Sequence, residues 1–209
     1  MFDKIINLEN LFLAWGEFKK GKTSKPDVAK FELELEQNII QLHHDLQNGT
    51  YHHSPYKGFY ITDPKVRHVH KATVRDRVLH HAIFNTLNPL FENGFISSSF
   101  SCRINKGSHK GVKTIQKILR RVSQNNTVPC YALKCDVKKF FDSVNHDILL
   151  EILRRKIREE RTFSLITELI HSYPKKAEAE RERGSSCPYW NSNRKSDLPT
   201  LCQCLYERV

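Results

Sequence analysis

No run of about 18 consecutive apolar residues occurs in this 209-residue chain, so the sequence offers no helix able to span a hydrocarbon core. The N-terminal stretch MFDKIINLENLFLAWGEF mixes acids with apolar residues where a secretion signal would place a basic segment and then an unbroken apolar one. Both absences point to a cytoplasmic protein with no membrane partner. The six cysteines include no C-x-x-C pair, which gives little reason to expect disulfides. Histidines cluster at His43-His44, His52-His53, His68-x-His70 and His80-His81, yet no segment pairs Cys with His at finger spacing, so a structural zinc is not expected. There is no internal repeat and no Gly-rich nucleotide fingerprint. Acids are the scarcer charge, 23 against 34 Lys and Arg, and the net charge of +11 favours an anionic partner such as nucleic acid. With 39% hydrophobic residues the chain can still bury a real core, which excludes a disordered class.

What is present is mostly helical periodicity. Ile5, Leu8, Leu11, Phe12, Trp15 and Phe18 predict one helix, ended by Gly21-Lys22. After Ser24-Lys25-Pro26-Asp27, a second pattern runs through Phe31, Leu35, Ile39, Leu42 and Leu46 to Asn48-Gly49. Gly58 to Thr62 and Val66 to His70 read as strands about an Asp63-Pro64 turn, a hairpin carrying Lys65, Arg67 and Lys71. Val78, Leu79, Ala82, Ile83 and Leu87 predict a helix over 74–87. Arg75 and Arg77 fall in its first turn, where the helix dipole favours acids, and that misfit marks them as functional candidates against the plainer reading of two exposed arginines. A basic loop, Phe100 to Gly111, leads into a helix through Val112, Ile115, Leu119 and Val122, followed by a turn over 123–129. Ile148, Ile152, Leu153 and Ile157 predict one face of a further helix, and Phe163, Ile166, Leu169 and Ile170 another. The fold class is α+β.

The segment YALKCDVKKFFDSVN, Tyr131 to Asn145, carries the chemistry. Its apolar start, Tyr131-Ala132-Leu133, predicts a strand that delivers Asp136 to its end, with the Val137 carbonyl beside it and Phe140 and Phe141 just beyond. Hard cations such as Mg²⁺ take oxygen ligands, so a site for such an ion needs converging carboxylates. Asp136 is the candidate, whereas Asp142 reads as a structural or capping acid at the turn into the next helix.

This segment resembles the first catalytic motif of reverse transcriptases of the group II intron, retron and diversity-generating type. Upstream, KVRHVHKATVRDRVLHHAI (Lys65 to Ile83) is similar to that family's R-P-x-x-I-P-x-x-R-D-R-x-x-Q pattern, with His68 in place of proline and His80 or His81 where Gln is common. FISSSFSCRINKGSHKGV (Phe95 to Val112) resembles its S-x-x-x-R-x-G-K-G-x-H motif. The resemblance implies the fingers and partial palm of a right-hand polymerase, helix-rich with a basic hairpin and an incomplete antiparallel sheet. It also implies regions at 1–50 (helical), 51–129 (fingers), 130–184 (partial palm) and 185–209 (tail). Asp136 and Val137 then hold Mg²⁺, and Lys65 and Arg67 grip the triphosphate of a dNTP. Phe141 lies under the nucleotide sugar, Phe140 and Val137 also border the nucleotide, and Arg75, Arg77, Arg103, Lys106 and His109 contact an RNA template and its DNA or RNA primer.

The resemblance also predicts what this chain does not do by itself. The family continues with a G-x-P-x-G…S-Q motif and a Y-x-D-D hairpin, but no Asp-Asp pair occurs in these 209 residues. Lys195 to Val209, KSDLPTLCQCLYERV, read one nucleotide later in a compatible codon set, gives SLTSQLFANVYMNE, which resembles the S-Q motif and the helix after it. A frameshifted, poorly ordered tail and a chain inactive alone are therefore expected. A gene sequence that restores no motif in the neighbouring frame would exclude the frameshift. The alternatives are a non-catalytic RNA-binding module and, with no H-N-H motif or second acidic cluster in support, a metal-dependent nuclease.

Overall fold

The structure, a computed structural model, describes residues 1–62, 66–101, 103, 105–135 and 144–173, with the Arg67 side chain outside that set. It divides into two compact units, one joining residues up to Leu87 with the segment that includes 144–173, the other spanning Asn88–Val137. Helices dominate, and among the described residues the one sheet is a two-stranded antiparallel ribbon, which agrees with an α+β class. No described helix is long and apolar enough to cross a membrane.

In the first unit the single helix predicted through Phe18 is two: α1 (Phe2–Ile6) and α2 (Leu8–Phe18). Asn7 separates them because its backbone is extended (ψ 133°) and its side chain accepts from the Glu9 N–H at 2.8 Å, capping α2. The second predicted helix is also split, into α3 (Pro26–Leu33) and α4 (Leu35–Asn48) at Glu34. There the Asn38 amide donates to the Phe31 carbonyl at 3.1 Å, occupying an acceptor that the break releases. Gly49, with φ 71°, ends α4 in the left-handed conformation that glycine tolerates best.

β1 (Lys57–Ile61) pairs with β2 (Arg67–Lys71), Lys57 opposite Lys71 and Ile61 opposite Arg67, each strand one residue from its predicted limits. The Asp63-Pro64 turn lies outside the described residues. α5 (Val74–Glu92) extends beyond the predicted Leu87, past Pro89, and the division between the units falls at 87/88 along it. α7 (His146–Arg154) and α8 (Glu160–Ser172) complete the first unit. Asn145 caps α7 through bonds from Asp147 N and Ile148 N, while Asp142, expected as a structural or capping acid, lies outside the described residues. Ile157, expected on α7, lies after its end and is fully buried, while Ile148 and Ile152 are exposed. Glu159 ties the start of α8 to α1, accepting from Thr162 Oγ1 and from Phe2 N, both at 2.6 Å. The core collects Ile5, Leu11, Phe18, Ile39, Leu42, Val78, Leu79 and Ile170, with Trp15 against Phe31 at a centroid distance of 5.2 Å.

The second unit holds the end of α5, a loop, and α6 (Gly107–Val122), which begins five residues before the predicted Val112. The strand predicted at 131–133 is not in a ladder: Tyr131 and Leu133 are almost fully exposed in an irregular segment. Extended backbone becomes a strand only when a neighbour supplies hydrogen-bond partners, and no described segment pairs with this one. The tail expected at 185–209 lies outside the described residues.

Candidate nucleic-acid interface

The hairpin β1–β2 is fastened at its base by two carboxylates. Asp76, fully buried near the start of α5, accepts at Oδ1 from the Tyr51 hydroxyl (2.8 Å) and at Oδ2 from Ser54 N (3.2 Å) and the Thr73 hydroxyl (2.6 Å). Tyr51 and Ser54 precede the hairpin and Thr73 follows it, so one side chain closes both ends of residues 57–71. Burial first, and the facing Asp76 carboxylate second, push the Tyr51 phenol above its ordinary value, leaving it a hydrogen-bond donor.

Asp27, on α3, is the second fastening. Its Oδ2 meets Lys71 Nζ at 2.7 Å, at the end of β2, and Arg77 Nη2 at 2.9 Å, on α5. Partial burial alone would raise the Asp27 carboxyl, but the Lys71 hydrogen bond and the charges of Lys71 and Arg77 outweigh it and hold the group below its usual value.

Arg75 and Arg77 are thus not the two exposed arginines of the plain reading. Arg77 is buried with its guanidinium 4.7 Å from the Phe18 ring. Arg75 reaches Asp45 Oδ2 at 2.5 Å and packs 4.9 Å over the Tyr51 ring. Asp45 stands in the last turn of α4, where the dipole disfavours an acid, and Arg75 in the first turn of α5, where it disfavours a base. Each reversed charge answers the other. Sequence reasoning missed Asp27, Asp45 and Tyr51, and the reversed acid near the end of α4 was the signal that could have found one of them.

Behind the hairpin base His80 is buried, its ring stacked on His53 at 5.3 Å and 12°. Burial, then the charge of His53, lowers its pKa to about 3, so the imidazole is neutral near pH 7.

The second unit has its own cationic site. The Arg103 Nε donates to Glu92 Oε1 at 2.9 Å, and Nη1 donates to the carbonyls of Ile96 (3.0 Å) and Ser99 (3.1 Å), which ties the loop before α6 to the end of α5. Lys106 precedes α6, donates to the Ser97 carbonyl at 2.9 Å and lies 5.4 Å over the Phe100 ring. His109 is exposed in the first turn of α6. Of the remaining candidates, Arg67 has its backbone in β2, while Lys65, Asp136, Val137, Phe140 and Phe141 lie outside the described residues. Among the described residues no three His, Cys, Asp or Glu side chains converge as metal ligands.

No protein-family model matches the chain. It is 26% identical over 131 residues to Protein YkfC of Escherichia coli (strain K12), covering 62% of this chain and 34% of that protein. It is 24% identical over 138 residues to Group II intron-encoded protein LtrA of Lactococcus lactis subsp. cremoris, covering 65% of this chain and 22% of that one. With Nuclear intron maturase 1, mitochondrial, of Arabidopsis thaliana it shares 27% identity over 92 residues, 44% of this chain and 12% of the maturase. Two of these relatives are intron proteins, and at 24–27% identity they support a group II intron reverse transcriptase-like family for this chain. It spans about a third or less of the length of these relatives.

Proposed function

We propose that this chain is the nucleotide- and RNA-gripping part of a group II intron-type reverse transcriptase, the fingers and the first catalytic motif of the palm. The observation that carries the reading is the Arg75-Asp76-Arg77 triplet, whose buried carboxylate closes the base of the hairpin bearing Arg67. A guanidinium meant to grip phosphate gains from a rigid mount, because less rotational freedom is lost when the ligand arrives. In this reading Arg67 and Lys65 take the triphosphate of a dNTP, Phe141 lies under its sugar with Phe140 beside the nucleotide, and Asp136 with the Val137 carbonyl contributes to a Mg²⁺ site. Arg103, Lys106 and His109 contribute on the RNA side. The ion pairs of Arg75 with Asp45 and of Arg77 with Asp27 favour a role in fixing the hairpin over a direct phosphate contact.

The second reading, a non-catalytic RNA-binding module, is favoured by the net charge of +11. Two-metal transfer needs several convergent carboxylates, so the chain alone is expected to bind RNA without extending a primer. The test is binding of the 209-residue chain to a structured RNA across a salt series, beside primer extension with Mg²⁺ and dNTPs. Affinity that falls steeply with salt supports the reading; no binding even at low salt overturns it. Extension by the chain alone would instead refute the expected inactivity.

A further inference from the structure

We propose that Tyr60, His68 and His70 form a stacking platform for unpaired RNA bases on one face of the hairpin. The inference rests on the RNA-binding reading above and assigns it residues that no phosphate contact would use. Strand register puts Gly58 opposite His70 and Tyr60 opposite His68, so all four share a face. The Tyr60 and His68 ring centroids are 4.7 Å apart, and those of His68 and His70 are 4.5 Å apart. Gly58 makes the arrangement possible. A Cβ there would stand 2.6 Å from His68 Nε2, so any larger residue would push that imidazole from its place across β1.

Packing alone does not account for the surface. Tyr60 is 56% exposed, and Phe59 and Ile61 on the opposite face are exposed too. At its inner end the row continues through ring contacts from His70 to Tyr173 and Tyr56, then to His53 and the buried His80. A row anchored in the core is preorganised, which lowers the entropy lost on binding. Charge selects a polyanion: residues 57–71 carry Lys57, Lys65, Arg67 and Lys71, the last paired with Asp27, against Asp63 as the only acid among them. Bases in a duplex are already stacked on one another, so a ring surface on a sheet is usable by single strands, whose bases can be splayed onto it.

The experiment is fluorescence anisotropy with the full chain, a short single-stranded oligouridylate and an RNA duplex of equal length. Tyr60→Ala, and separately His68→Ala with His70→Ala, should weaken single-strand binding by roughly fivefold to a hundredfold, the range of one base stack, with little change on the duplex. The salt dependence for Tyr60→Ala should stay as in wild type, since no Lys or Arg is removed. Tyr60→Phe, which keeps the ring, should rescue the affinity. Gly58→Ala should weaken binding with every ring still in place. Photocrosslinking of 5-iodouridine RNA to the wild-type chain, with the adduct mapped to these residues, gives a readout that needs no variant. Wild-type affinity in Tyr60→Ala, equal losses on single strand and duplex, or a lowered melting temperature with affinity intact would overturn the platform. Each of those leaves wild-type RNA binding and its functional reading standing. Failure of the wild-type chain to bind any RNA overturns both.

Discussion

The Tyr51 hydroxyl donates to Asp76 Oδ1 over 2.8 Å between two buried side chains, joining the segment that leads into the hairpin to the helix that leaves it. Asp76→Ala would leave Tyr51, Ser54 N and Thr73 without their acceptor, at a cost of roughly 3 kcal/mol or more. Tyr51→Phe removes one donor and should cost about 1 kcal/mol. Urea unfolding measures both. A double variant whose loss equals the sum of the singles would show that the two groups do not share one network.

Arg77→Ala removes the buried guanidinium that meets Asp27 and lies against Phe18. The expected loss is roughly 2–4 kcal/mol, because packing goes with the charge. Arg77→Lys should recover only part, since an ammonium cannot reproduce the planar contact with the ring. RNA affinity at temperatures where the variant is folded should keep the wild-type salt slope. A slope reduced by about one would instead make Arg77 a phosphate contact.

Asp27 adds an acid-side dependence. Its folded pKa is lowered, so its contribution is present above the ordinary carboxyl value of 3.8 and is lost as pH falls through the still lower folded value. Asp27→Asn should therefore destabilise the chain near pH 7 and lose less to acid than wild type does, as urea midpoints at pH 7 and in the acid range would report. An equal acid loss in both chains would exclude this carboxyl as a source.

Much of this base was legible in the sequence, though not its meaning. Arg75 and Arg77 stand out in the sequence as charges set against a helix dipole, and in the structure each is ion-paired. The compensation lay out of reach because Asp45 and Asp27 are 30 and 50 residues away, and periodicity within a window carries no information about such contacts. The hairpin is legible to within a residue because alternation and turn residues are local signals. The breaks at Asn7 and Glu34 leave no mark in the periodicity, because the apolar spacing stays in phase across them. At 131–133 the apolar residues signalled a strand, but a ladder depends on a neighbour that a single segment cannot specify.

His80 predicts the behaviour in mild acid. Its folded pKa is about 3 and the ordinary value is 6.5, so between these the unfolded chain holds a proton that the folded chain refuses. Its contribution is full above 6.5 and falls toward pH 3, by at most about 1.4 kcal/mol per pH unit. His80→Gln keeps a polar side chain without a titrating group and should flatten the dependence of the urea midpoint between pH 6.5 and 4. An unchanged slope would assign the acid sensitivity elsewhere.

Arg103 governs the second unit. Its guanidinium satisfies the Ile96 and Ser99 carbonyls and pairs with Glu92, so Arg103→Ala removes the partners of three groups at once. Lysine cannot replace it, because one ammonium does not span acceptors that the planar fork reaches from separate nitrogens. Both variants should open the loop between α5 and α6 while leaving the first unit folded. Limited chymotryptic digestion, with Phe95 and Phe100 as the reporting sites, should accelerate severalfold, and protection of Tyr51 in the first unit should be unchanged. If cleavage at Phe95 and Phe100 proceeds at the wild-type rate in Arg103→Ala, the loop is held by something other than this guanidinium.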